Sequence, residues 1–315
     1  MNILDEVKGA SSIGISGHIR PDGDCIGATM GMYLYLTKML PDVTIDVLLQ
    51  NYPKEFECIH RIEDIKTDFK GSVEKYDAFI VIDCSADRIG DAIPYFESAG
   101  KTINIDHHIT NTGCANSNYI VPDASSASEL VYDVLENKED LDVEIAKALY
   151  IGIIHDTGVL QYSNVRPKTL CTVAELIRYD FDFPAIITNT FYEKTYVQNQ
   201  IMGRAVLESI RFMDGQCIFS VIDKKTMDFY EALPSDLDGI VNQMLNTKGV
   251  ECAIFMYQLN SMEYKVSMRS KGKVDVSKIA SMFGGGGHVR AAGVTMQGTY
   301  HDVINNLSAQ IKQQL

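Results

Sequence analysis

Four apolar runs of five or six residues, 12–16 (SIGIS), 44–49 (TIDVLL), 78–83 (AFIVID) and 102–106 (TINID), alternate with helical patterns through the first third of the chain. Each is short and mostly apolar throughout, so it reads as a strand buried on both faces, which is the signature of a parallel sheet. Strand and helix in alternation imply an α/β fold, a doubly wound and mainly parallel sheet whose ligands gather beyond the carboxyl ends of the strands. Between the strands, the helix from Cys25 to about Leu40 carries Gly27, Ala28 and Gly31 on one side, as expected where a helix packs close to a sheet. SSASELVYDVLE (125–136) opens with a capping box from Ser126 to Glu129, VEIAKALYIGIIHDTG (143–158) is a helix ended by Gly158, and RPKTLCTVAELIRY (166–179) is another.

Beyond residue 182 the pattern changes. Residues 182–205 read as helical and connecting; 205–213, 216–223, 252–259 and 264–270 read as strands of a second, mixed sheet, with helices near 224–246 and 275–283. The expected organisation is a catalytic domain over 1–185, a helical linker over 186–208 and a smaller mixed-sheet α/β domain over 209–315. A length of 315 residues suits two such domains.

Composition limits the function. No apolar run approaches the roughly 18 residues that span a bilayer, so no membrane partner is expected. The acidic start MNILDEVKGASS lacks the sections of a signal peptide, making the cytoplasm the default compartment. Seven cysteines without a close pair suggest neither a disulfide framework nor a zinc ribbon, and Cys25 and Cys84, though adjacent to candidate site residues, read as small apolar packing. A net charge of −14 argues against long duplex nucleic acid. Within that acidic chain, Lys265, Arg269, Lys271, Lys273, Lys278 and Arg290 face only Asp275 over residues 265–290, which suits a small anionic ligand.

Acids and histidines mark the ends of the elements: His18, Asp22 and Asp24 after the first strand, Asp83 ending the third, Asp106–His107–His108 ending the fourth, and Asp156 near a helix end. Singly, each has a structural explanation as a helix N-cap, a turn residue or a satisfied core histidine. Together they would repel strongly in partial burial unless a cation neutralised them, because the sheet gathers its carboxyl ends. Hard carboxylates with imidazoles and no thiolate favour Mn²⁺ or Mg²⁺, and the ligand count suffices for two ions, a pair that can activate water and hold a phosphoryl group.

GHIRPDGDCIGA, VIDCS, IDHH and IGIIHDTGVLQYSN resemble the four motifs of the DHH phosphoesterase superfamily, and FGGGGHVRAAG resembles the glycine-rich motif of the DHHA1 domain that follows it in one branch. The match runs in order along essentially the whole chain, and the two-domain length is most similar to the bacterial oligoribonuclease and 3′-phosphoadenosine-5′-phosphate (PAP) phosphatase group. The resemblance implies His18 and Asp22 as ligands of one metal, Asp24, His107 and Asp156 of the other, and Asp83 as the bridging carboxylate. It further implies that Asp106 orients the histidines and that His108 contacts the phosphate and assists the leaving group. His155 and Thr157 read as supporting residues.

For the second domain, four glycines let backbone N–H groups approach an anion, and Gly285, Gly286, Gly287, His288, Arg269 and Arg290 are the expected substrate contacts. By resemblance, a cleft between the domains binds a short substrate. The implied activity is hydrolysis of short RNA or DNA oligonucleotides or of small phosphorylated nucleotides, in a chain compatible with a homodimer. The competing expectations are a manganese pyrophosphatase or exopolyphosphatase, against which GGGGH argues; a RecJ-like exonuclease on long strands, disfavoured by charge; a cyclic dinucleotide phosphodiesterase; and a nucleotide sensor without catalysis, disfavoured by intact ligands.

Overall fold

In the computed structural model, which describes residues 1–135 and 138–315, the four expected strands and one more build an all-parallel five-stranded sheet. β1 (Ser12–Ser16), β2 (Thr44–Leu48), β3 (Ala78–Ile82), β4 (Lys101–Asp106) and β5 (Ser117–Ile120) lie in the order β2-β1-β3-β4-β5. The chain steps outward from β1 to β2 and then returns to β3 on the other side. The loops leaving β1 and β3 therefore diverge at their carboxyl ends, where folds of this kind open a crevice. β5 carries no apolar run: SNYI sits half-exposed at the sheet edge, so its pattern gives no strand signal.

Both faces of the sheet are covered. After the short α1 (Ile3–Glu6), helix α2 (Gly23–Met39) packs with α4 (Ala127–Val134), α5 (Val143–Asp156) and α6 (Pro167–Leu176) in one apolar cluster that includes Ile13, Ile15, Ile80, Ile82, Ile103 and Ile105. Leu48, Phe79 and Val81 belong to a separate cluster with Phe96 of α3 (Ile93–Ser98). Full burial of each such side chain stabilises by about 1.5–3 kcal/mol relative to exposure. α2 opens two residues before the expected Cys25, because Asp22 caps it.

The small residues of α2 face a neighbour other than the one expected. A Cβ on Gly27 would stand 2.6 Å from the carbonyl of Ala148 and 2.7 Å from the amide of Gly152, and one on Gly31 would stand 2.5 Å from Leu149. The close contact is helix on helix, α2 against α5, and not helix on sheet. α5 ends as expected, with Thr157 as C-cap and Gly158 at φ +54°. The capping box of α4 is half formed: Ser126 Oγ accepts the Glu129 amide at 3.0 Å, but the Glu129 carboxylate turns to Ser125, Thr169 and Arg166. Glu136, the last residue of the expected helix, lies outside the described residues.

The chain divides into two compact units, Met1–Glu193 and Lys194–Leu315. α7 (Phe183–Ile187) belongs to the first and α8 (Tyr196–Leu207) to the second, so the stretch 186–208 is shared between them. The expectation of a strand over 205–213 is corrected. Ala205–Leu207 completes α8, which a Thr195–Gln198 capping box starts, and only β6 (Ile210–Phe212) pairs.

In the second unit β6, β7 (Cys217–Ile222), β8 (Cys252–Asn260), β9 (Glu263–Ser270), β10 (Gly286–His288) and β11 (Ala291–Gln297) form a mixed sheet in the order β10-β11-β9-β8-β7-β6. The pairing of β7 with β8 is parallel and the other pairings are antiparallel. β10 (GGH) and the Ala-Ala-Gly start of β11 were not legible because glycine and alanine carry no strand preference. The expected helix near 224–246 is two, α9 (Lys224–Tyr230) and α10 (Ile240–Leu245), parted by Glu231 in the left-handed region and by Pro234. α11 (Val276–Met282) and α12 (Tyr300–Lys312) pack on the sheet. Among the described residues, no helix is long and apolar enough to cross a membrane.

Candidate metal centre

The carboxyl edge of the first sheet collects acids and imidazoles from five places: the loop after β1, the start of α2, the ends of β3 and β4, and the end of α5. Asp83 lies among them. Its Oδ2 is 3.3 Å from His18 Nε2, and its Oδ1 is 3.4 Å from His107 Nε2 and 3.7 Å from His108 Nδ1. His107 Nε2 in turn lies 3.9 Å from Asp24 and 3.6 Å from Asp156. Two lobes result. One holds His18 and Asp83, the other Asp24, His107 and Asp156, and in each the donor atoms lie within 4.8 Å of one another. Asp22 stands at the exposed rim, 3.7 Å from His18, while its Oδ1 accepts the amides of Asp24 and Cys25 at 3.1 Å as the N-cap of α2. The helix-cap explanation thus holds for Asp22, and the residue still borders the cluster.

Local structure sets these positions. Asp83 adopts φ +64°, a conformation that aspartate tolerates better than most residues, and its amide donates to the Ile105 carbonyl at 2.9 Å. Asp24 is wedged against the start of α4, where its two oxygens accept the amides of Ala127 at 2.6 Å and Ser128 at 2.9 Å. Gly152 makes room for this contact, since a Cβ there would stand 2.9 Å from Asp24 Oδ1.

The electrostatics call for positive charge. Burial, and then the charges of Asp83 and Asp156, push the Asp24 carboxyl well above its ordinary pKa. Burial, with Asp83 and Asp22, raises Asp156 to about 6, although His107 opposes the shift. Burial works against charge on His18 and His107, but the surrounding carboxylates win and lift both to about 10. The bare cluster therefore recruits protons that a dication would replace. Asp83 Oδ1 is buried with no hydrogen-bond partner among the described residues, a cost of about 1–3 kcal/mol that coordination would offset. Carboxylate oxygen and imidazole nitrogen are the donors that suit Mn²⁺ or Mg²⁺, so the residues present fit a divalent cation. Cys25 lies within the same reach of His18 and Asp83, yet burial and nearby negative charge keep it a thiol, and its Sγ packs where a Cβ on Gly17 would stand 2.3 Å away.

A pH dependence follows with a definite sign. The folded pKa of about 10 for His18 and His107 exceeds the roughly 6.5 of a free imidazole. Their charged pairing stabilises the metal-free fold fully below about pH 6.5 and is lost as pH climbs through 10. The thermal midpoint of EDTA-treated protein is expected to fall across that interval, and added Mn²⁺ to restore it most at the alkaline end, where no proton competes. A midpoint that stays level or rises in the metal-free protein would contradict the pairing.

Behind the cluster lies a hydrogen-bond relay of which the sequence reading expected Asp106, as the residue orienting the histidines, but not Asn104 and Asn111. Asp106 Oδ1 accepts the amides of His107 and His108 at 2.8 and 3.1 Å and His108 Nδ1 at 2.7 Å. These bonds outweigh the burial that opposes its ionisation and hold its carboxyl below the usual range. Its Oδ2 accepts from Asn111 at 2.6 Å; Asn111 also donates to Asn104, and Asn104 donates to the carbonyls of Val81 and Cys84, on either side of Asp83. The relay ties the orientation of His108 to the end of β3. Only the apolar context of β4, which places a polar Asn104 in a buried run, could have signalled it.

His155 and Thr157 are occupied elsewhere. His155 packs edge-on against Phe56 and Phe191, and its Nε2 meets Thr190 Oγ1 at 2.9 Å. Because that hydroxyl donates to the Ile186 carbonyl, it accepts from His155; burial lowers the imidazole to about 4 and keeps it neutral. Thr157 Oγ1 donates to the Ile153 carbonyl at 2.6 Å. Asn164, at the end of IGIIHDTGVLQYSN, joins the carbonyls of Ser125 and Asp156 at 2.8 and 3.1 Å.

In the second unit, the glycine run is partly a strand. Gly286–His288 forms β10, and Val289 and Arg290 make the turn into β11. Side chains at Gly285 and Gly287 would collide with the backbone of β11, 2.3 Å from Gly293 O and 2.4 Å from Ala291 O, whereas Gly284 and Gly286 meet nothing within 4 Å. Close strand packing thus requires two of the four glycines. Register pairs His288 with Ala291 and Ala291 with Arg269, so the imidazole and the guanidinium share one face across a small alanine. His288 and Arg290 are exposed; Arg269 is mostly buried and donates to the Met268 carbonyl at 3.0 Å.

Comparison with known proteins fits both units. The family model of the DHH family, N-terminal domain, matches residues 12–153, and that of the DHHA1 domain matches residues 214–315. A Streptococcus mutans protein named "probable bifunctional oligoribonuclease and PAP phosphatase NrnA" is 29% identical over 295 residues, covering 92% of this chain and 91% of its own. The bifunctional oligoribonuclease and PAP phosphatase NrnA of Bacillus subtilis is 26% identical over 286 residues, 89% of this chain and 87% of its own. Among solved structures, an exopolyphosphatase-related protein from Bacteroides fragilis superposes with a TM-score of 0.89 at 24% identity, covering 99% of this chain and 94% of its own. With the two domain models matched in order along the chain, and with the acids and imidazoles of the first four motifs meeting at one sheet edge, the chain carries a DHH family N-terminal domain over residues 12–153 followed by a DHHA1 domain over residues 214–315.

Proposed function

We propose that this chain is a metal-dependent phosphoesterase that hydrolyses short oligonucleotides to mononucleotides and removes the 3′-phosphate of PAP. The observation that carries the reading is Asp83, a buried carboxylate set between His18 and His107 with one oxygen unpartnered. In this reading His18 and Asp22 would hold one Mn²⁺ or Mg²⁺ ion, Asp24, His107 and Asp156 would hold a second, and Asp83 would serve both. Such a pair would supply a water nucleophile at neutral pH and neutralise charge on a phosphoryl group. His108, exposed on one side and oriented by Asp106, contacts the phosphate and gives a proton to the leaving oxygen. Arg269, Gly285, Gly286, Gly287, His288 and Arg290 offer charge and amides to a phosphate or terminal nucleotide. The substrate class rests on the names of the relatives together with a net charge of −14.

The test is direct. Purified protein with Mn²⁺ should release nucleoside monophosphate from a ribodinucleotide and phosphate from PAP, and should leave pyrophosphate intact. Turnover that persists unchanged in EDTA would remove the metal from the mechanism, and preferential cleavage of pyrophosphate would replace the nucleotide reading with a pyrophosphatase.

A further inference from the structure

The loop that carries His18 also walls a cavity of about 720 Å³ on the β2 side of the candidate metal centre. Its lining combines the rings of Tyr52 and Phe69, the amide of Gln50, the carboxylates of Asp68 and Asp91, and the guanidinium of Arg20. Arg20 and Pro21, between His18 and the Asp22 cap, lie in the same wall, so one loop serves both the cavity and the candidate metal centre.

The walls are braced. The Ile19 amide donates to the Arg88 carbonyl at 2.8 Å, and the Arg20 amide donates to Gln50 Oε1 at 3.0 Å, pinning the β1 loop to the segments that follow β3 and β2 respectively. Arg20 and Phe69 adopt φ +59° and +56°, a region that a bulky residue occupies only where its surroundings hold it. Strain retained at two lining residues of one cavity is the pattern of a binding site.

Resting on the nucleotide reading above, we propose that this cavity is a nucleoside subsite: it takes the base and ribose of the nucleotide whose phosphate lies at the metal centre. The volume is in the range of small-ligand sites, roughly 300–1,000 Å³. Half-buried rings present π-faces that stack any base, with little preference among them. The carboxylate of Asp91 disfavours a further phosphate, and it and Asp68, which is paired with Lys70 at 3.2 Å, can accept ribose hydroxyls, which assigns the uncharged part of the substrate here. Arg20, a lining residue two positions after His18, offers its charge to the connecting phosphate. A site of this kind favours a nucleotide over pyrophosphate, which has nothing to place in it.

The experiment is a cycle between protein and substrate. Tyr52→Leu removes the ring but keeps an apolar side chain against the core, and Tyr52→Phe keeps the ring. With a ribodinucleotide, Tyr52→Leu should raise KM about tenfold with kcat nearly unchanged, and Tyr52→Phe should match the wild type. With a dinucleotide analogue lacking the base that the subsite holds, tested by omitting each base in turn, the effect of Tyr52→Leu should vanish for one of the two analogues. An unchanged KM, or an equal loss with all three substrates, overturns the subsite. Titration of the metal-free protein with adenosine needs no turnover: binding weakened about tenfold by Tyr52→Leu supports the subsite even in a protein that cleaves no dinucleotide, and absence of binding to the wild type refutes it while leaving the phosphoesterase reading to its own assay.

Discussion

Asp83→Asn is expected to lower kcat by on the order of 10³ or more and to strip divalent metal from both lobes of the centre, while leaving the protein folded. Asparagine is the right substitution because position 83 lies at φ +64°, where asparagine is tolerated about as well as aspartate and alanine would add backbone strain. It preserves shape and removes one charge from a cluster in which Asp24 and Asp156 already repel it. Only a group serving both lobes can affect both, and among the described residues Asp83 alone stands within 3.4 Å of each of His18 and His107. Metal analysis and calorimetry would check it. A variant that retains two tightly held ions refutes the bridging role, whatever its activity.

The second large effect lies away from the reacting groups. Gly152→Ala would place a methyl 1.9 Å from Ser128 Oγ, 2.8 Å from Ser128 Cβ and 2.9 Å from Asp24 Oδ1. The hydroxyl can rotate away, but the Cβ and the carboxylate cannot without moving the start of α4 that anchors Asp24. Overpacking of this kind costs about 1–3 kcal/mol, so the thermal midpoint should drop by several degrees and metal affinity should fall with it. Gly203→Ala in α8 is the control: nothing lies within 4 Å of the new methyl, so the change should be neutral or stabilising. Equal midpoints and metal affinities for Gly152→Ala and the wild type would show that the α2–α5 contact does not set the position of Asp24.

The sheet of the first unit was legible because a strand buried on both faces can only be an uninterrupted apolar run, and four of the five strands have one. β5, β10 and the Ala-Ala-Gly start of β11 were not, since an edge strand and a glycine–alanine segment hold their place by pairing with a neighbour, which no local pattern records. Alternating apolar residues at 205–213 suggested a strand, yet the cap at Thr195 started a helix that ran through Leu207 before β6 could begin. Candidate ligands were legible for a related reason. His18, Asp83, His107 and Asp156 each sit one or two residues from the end of an apolar run or helix, where the fold class itself dictates convergence.

What the sequence determined by itself, then, was the kind of chemistry and the edge of the sheet at which it gathers, because hydrophobic periodicity fixes strand and helix, and parallel topology fixes where their ends meet. Tertiary structure decided the rest. It turned Gly27 and Gly152 toward another helix, paired Asp24 with the start of α4, and strung Asn104 and Asn111 behind His108. A small or polar residue declares that something must approach it closely or bond to it. Which partner does so depends on contacts across long stretches of chain, and those are set only when the whole core packs.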